Sequence, residues 1–153
     1  MDTSLLYEND YNAWIIRHIQ LLQQGQFSDI DIDHLIEELE YMAKRDRHEL
    51  VSHFIILLAH LLKWQFQLNQ LAELLKNFHG TSWRASIAEQ RLQIQRQLEL
   101  SPSLKPYLTE ALYKAYPKAI ELAVRETQLA VSLFPTICPY SLEQTLNEEF
   151  YPE

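Results

Sequence analysis

An all-α fold is what this sequence predicts, and three observations predict it. Two glycines in 153 residues leave few of the tight turns that a sheet needs. Leu, Glu, Gln, Ala and Arg, all good helix formers, are abundant. The apolar residues recur at steps of three and four rather than two. The expected architecture is a single-domain bundle, residues 1–153, of about five helices around a buried central helix.

The first helix is expected from near Ser4 to Gly25. Tyr7, Tyr11, Trp14, His18 and Leu21 mark one face, Ile15, Ile19 and Leu22 lie beside it, and Gly25 is the stop. Asp31 reads as the N-cap of a second helix, with Asp33 favourable in its first turn. Ile32, Leu35, Ile36, Leu39 and Met42 form the apolar side of that helix, and Glu37, Glu38 and Glu40 lie off it.

No Gly or Pro occurs from Lys44 to Asn77, so residues 32–78 read equally as one long helix or as two with a kink near Lys44–Arg47. The centre of this stretch, Phe54 to Leu62, is apolar on every face except for His60, and Lys63 follows directly. Thr81 or Ser82 can cap the next helix, Trp83 to about Glu99, whose apolar side is Ile87, Leu92 or Ile94, and Leu98. Ser101-Pro102 is a start signal for a helix presenting Leu104, Leu108, Leu112, Ala115, Ala119, Leu122 and Ala123, which Pro117 should kink or divide. The segment 135–153 is Pro-rich. Its chain is expected to be extended through Tyr140, then to form one short helix under a Ser141–Gln144 capping box, packed on the bundle.

Composition narrows the function. The 21 acidic and 13 basic residues give a net charge of −8, which argues against nucleic acid as a partner because phosphate binding needs basic groups. The hydrophobic fraction of 47% rules out a disordered chain. Cys138 stands alone, which excludes an intrachain disulfide and fits a reducing compartment. Met1 to Asp10 lacks a signal-peptide pattern, and the run from Phe54 to Leu62 is far short of the ~20 residues of a membrane span. A cytoplasmic protein with no membrane contact is expected.

The chain resembles a bacterial family of uncharacterised helical proteins, the domain of unknown function number twenty-nine. The resemblance rests on Tyr11 and Trp14, on Asp31, Leu35 and Glu37-Glu38-Leu39-Glu40, and on the block from His60 to Gln67. It continues through Ser82-Trp83-Arg84, Glu89-Gln90-Arg91 and Pro102-Ser103-Leu104 to Cys138-Pro139-Tyr140-Ser141-Leu142, Gln144, Phe150 and Pro152. It implies a compact helical fold and supplies no activity to carry over. The chain departs from the family's pattern at Leu68, where a proline is usual, and Asn69 to Phe78 reads as extra helix. Leu68, Leu71, Leu74, Leu75 and Phe78 are therefore a candidate interface, or else pack on the core.

Chemistry, if any, should lie on the central helix. Glu49, His53, His60, Lys63 and Gln67 share one face at steps of four, seven, three and four. With Glu37, Glu38, Glu40, Arg84 and Arg91 from flanking segments they form a candidate buried polar cluster. Such a stripe is either an internal salt-bridge network or the lining of a cavity for a small ligand or metal. Spacing assigns no catalytic, cofactor-binding or metal-ligating residue: Glu-x-x-His pairs and a glycine-rich phosphate loop are both lacking, and no cofactor is implied. The expectation is a non-enzymatic module that homo-oligomerises or binds a protein partner. The alternative is a ligand- or metal-binding protein, conceivably an enzyme, built on the polar stripe.

Overall fold

The computed structural model describes residues 2–67 and 81–153. All regular structure among them is helical. The elements are α1 (Thr3–Asn9), α2 (Tyr11–Gln23), a 3₁₀ turn (Phe27–Asp29), α3 (Ile32–Leu62), a π-helical turn (Lys63–Gln67) and α4 (Thr81–Leu100). A 3₁₀ stretch (Pro102–Tyr107), α5 (Leu108–Thr127), a 3₁₀ turn (Val131–Leu133) and α6 (Leu142–Leu146) complete the chain. It divides into two compact units, Met1–Asp46 and Arg47–Glu153, and α3 contributes residues to each. The candidate interface Leu68, Leu71, Leu74, Leu75 and Phe78 lies outside the described residues.

In the N-terminal unit the expected first helix is two. Asp10 leaves the helical region at φ −149°, and its carboxylate accepts from the Ala13 N–H at 3.1 Å, so it ends α1 and caps α2. A residue that bonds its own backbone breaks a helix that apolar spacing alone would continue. Gly25 closes α2 as expected. At φ +70° it lets Gln26 N–H reach the Leu21 carbonyl (2.9 Å) and its own N–H reach Leu22 (3.2 Å), a Schellman motif. α2 buries Trp14, His18 and Leu21.

The C-terminal unit is built differently. Leu50, Phe54, Leu57, Leu58, Leu61 and Leu62 of α3 are fully buried, against Ile87 and Ile94 of α4 and Ala111, Ala115, Ala119 and Ala123 of α5. The alanine row on α5 gives the large α3 side chains room for close packing. Ile94, not Leu92, supplies the inward position of α4. Of the two readings of residues 32–78, the structure takes the unbroken helix as far as Leu62.

Pro117 does not divide α5, which runs from Leu108 to Thr127. The proline removes the bond to the carbonyl of Tyr113, and both residues are exposed, so water can satisfy that oxygen. A 3₁₀ stretch precedes α5, where a helix directly from Ser101-Pro102 was expected. The capping box forms as expected: Gln144 N–H donates to Ser141 Oγ (3.1 Å) and Ser141 N–H to Gln144 Oε1 (3.0 Å).

Candidate functional site

The polar stripe of the central helix resolves into separate local pairs. His53 Nδ1–H donates to Gln90 Oε1 at 2.8 Å, with Glu49 at 3.7 Å from its other nitrogen. His60 Nδ1–H donates to the Ile56 carbonyl at 2.8 Å, and burial pushes its pKa down. Lys63 is buried on the π-helical turn, where its ammonium pairs with Glu126 of α5 and lies 5.6 Å from the centre of the Trp83 ring. No pattern in the sequence singles out Glu126; its pairing with Lys63 from the exposed side of the last turn of α5 is visible only once the helices are packed. Gln67 closes the π-helical turn.

That turn has a physical cause. The buried Tyr140 hydroxyl donates its one hydrogen to Gln65 Oε1 (2.7 Å) and lies 3.2 Å from the Leu61 carbonyl, where α3 widens. A side chain that bonds into the helical ladder displaces its regular donors. Burial raises the Tyr140 pKa, so the group stays a donor.

Arg91 and Arg84 serve the C-terminal tail. Arg91, 4% exposed, donates to the carbonyls of Thr145 (2.9 Å), Phe150 (2.8 Å), Gln144 (3.4 Å) and Glu148 (3.4 Å). One guanidinium thereby satisfies four backbone oxygens where α6 ends, at the cost of burial that lowers its pKa. Arg84 stacks against Trp64 (5.2 Å) and Tyr151 (4.4 Å). Among the described residues no three His, Cys, Asp or Glu side chains gather as a metal site would require.

Glu38 lies elsewhere, in the N-terminal unit. It accepts from Tyr7 Oη on one oxygen and from Tyr11 Oη on the other, both at 2.5 Å. These two bonds hold its pKa below the ordinary carboxylate value and push that of Tyr7 up to about 12. Asp31 forms a second node. It accepts from His34 Nδ1–H (2.5 Å), His34 N–H (3.4 Å) and Trp14 Nε1–H (3.2 Å), and its own N–H donates to His18 Nε2 (2.9 Å). Burial pushes the Asp31 pKa up, but the bonds from His34 and Trp14 outweigh it and leave the pKa lowered; His34 is raised by the same pair. The Tyr7 ring stacks on His34 at 4.0 Å and joins the two nodes.

The network turns α3 over. Its polar edge, His34 and Glu38, faces α1 and α2, while most of the expected apolar side points to solvent and Leu35 is half-buried. Ile32, Ile36, Leu39 and Met42 are 60%, 48%, 56% and 53% exposed. Glu37 and Glu40 are also exposed. Ile19 and Leu22 of α2 are about half exposed as well. Hydrophobic periodicity found the stripe and its spacing; it could not say that two tyrosines and an aspartate would claim the other edge.

No curated protein and no solved structure matches the chain. A family described as "Domain of unknown function DUF29" matches residues 6–151. Tyr11, Trp14, Asp31 and Glu38, four of the residues that carry the resemblance, meet in the N-terminal network. Lys63, Trp64, Arg84 and Arg91, four more, seat the tail and the end of α3. A match over nearly the whole length places this chain in the DUF29 family.

Proposed function

We propose that this protein is a helical self-association module of the bacterial cytoplasm, in which the outward stripe of α3 pairs with the same stripe of a second copy. The observation that carries the reading is the exposure of Ile32, Ile36, Leu39 and Met42 on a helix whose opposite edge is already engaged. Exposed apolar side chains grouped in this way mark interaction sites more often than idle surface. Ile32, Ile36, Leu39 and Ala43 follow steps of four, three and four, the seam spacing of paired helices.

Charge favours a second copy over an unrelated partner. One flank of the stripe carries Asp33, Glu37 and Glu40 toward its start and Lys44 and Arg47 toward its end. In an antiparallel pair each flank meets the same flank of its twin reversed, so the acidic part of one copy faces the basic part of the other. The lone cysteine and the absence, among the described residues, of a helix long and apolar enough to cross a membrane support the cytoplasmic placement.

Native mass spectrometry with light scattering tests the reading. The wild-type chain should be a dimer, and Ile36→Glu with Leu39→Glu should give a monomer of unchanged helicity. A monomeric wild type, or a variant that stays dimeric, would overturn it. Glu37→Lys with Glu40→Lys should weaken the dimer by about tenfold or more, and adding Lys44→Glu should recover part of that loss.

A further inference from the structure

We propose that the groove between α3 and α5 binds a small, multiply charged oxyanion, two linked phosphoryl groups being the best fit. The cavity holds about 330 Å³. Its polar lining is His48 and Ser52 of α3, Tyr107 of the 3₁₀ stretch, and Lys114 and Lys118 of α5. Among the described residues no carboxylate lines it, in a chain whose net charge is −8. A pocket of one charge sign on a protein of the other collects counter-ions from solution, because low-dielectric walls focus the field. Here Val51 and Ile55 supply the apolar wall.

The donors come in two pairs. His48 and Ser52 are one turn apart on α3, and Lys114 and Lys118 are one turn apart on α5. A single phosphate would meet part of this set, and two linked groups can use both pairs at once. Within the described residues, His48 and Lys118 make no ion pair and the Ser52 hydroxyl makes no hydrogen bond, so their capacity is unspent. Lys114 is the partial exception. It pairs with Glu110 at 3.2 Å and donates to the Tyr107 hydroxyl at 3.5 Å, which holds it at the groove edge. Arg47 adds a second cation against the Tyr107 ring at 5.3 Å. The site does not depend on self-association.

The test is calorimetric titration of the full chain with inorganic pyrophosphate at constant ionic strength, with sulfate for comparison. One pyrophosphate should bind per chain, more tightly than sulfate. Lys114→Gln with Lys118→Gln should weaken binding by about tenfold or more, and Ser52→Ala by a few-fold. Lys105→Gln, an exposed cation outside the groove, should leave it unchanged. No binding at millimolar concentrations would overturn the proposal, as would equal weakening by Lys105→Gln. If the double variant fails to fold, Ser52→Ala against Lys105→Gln decides alone.

Discussion

The two units of this protein solve the same problem by opposite means. The C-terminal unit buries apolar side chains from three long helices, with Leu50 to Leu62 at its centre. Among its described residues the N-terminal unit buries only Trp14, His18 and Leu21 on α2, and is held by tyrosine, histidine and carboxylate contacts around Glu38 and Asp31. Apolar burial is non-directional and tolerant of pH. A hydrogen-bonded network depends on geometry and on protonation state, and its directionality can turn a helix so that its apolar side faces out. Economy of core in one unit thus leaves apolar side chains of α3 exposed.

The largest effect should come from the apolar core. Phe54→Ala removes a fully buried ring and should cost about 3–5 kcal/mol, read as a shift in the denaturant midpoint with α4 and α5 lost together. A variant that melted only α1 and α2 would break the contrast between the units. Arg91→Met comes next. It keeps the stem but leaves four carbonyls without their donor, for a loss of about 1–3 kcal/mol and faster proteolysis after Asn147.

Acidity should single out the N-terminal unit, with the smallest change in global stability. Asp31 and Glu38 have lowered pKa values, so their contribution is present above the unfolded values of 3.8 and 4.5 and is lost as pH falls through the folded ones. The His34 value is raised, so its contribution is complete below 6.5 and is lost as pH rises through the folded value. The protection factors of the α1 and α2 amides, corrected for intrinsic exchange, should therefore be highest between the two windows. They should fall on either side, while those of Leu57 to Leu61 stay high. Equal sensitivity in both units would erase the distinction.

Much of the fold is legible in the sequence because its signals are local. Gly25, the Ser141–Gln144 box, Asp31 at the head of α3 and the greasy run from Phe54 each act within a turn or two of themselves. Pro117 does not divide its helix because the released carbonyl meets water, which packing decides. Asp10 was missed because a short polar residue between apolar neighbours does not disturb the helical spacing. In the polar cluster, Lys63 and the histidines were readable as costly residues needing partners. Glu126, 63 positions further along the chain, was not readable as the answer for Lys63.

By itself the sequence determined that the chain is helical, that Phe54 to Leu62 lies at the heart of a core, and that Ile32, Ile36 and Leu39 share one face. Those properties follow from backbone preference and the 3.6-residue period, which neighbouring residues settle among themselves. Only the tertiary structure decided that this face looks outward, and that His48 of α3 and Lys114 and Lys118 of α5 line one groove. Both outcomes turn on which of two edges of a helix finds the better partners. That competition is between residues far apart in the chain, and no local pattern records its result.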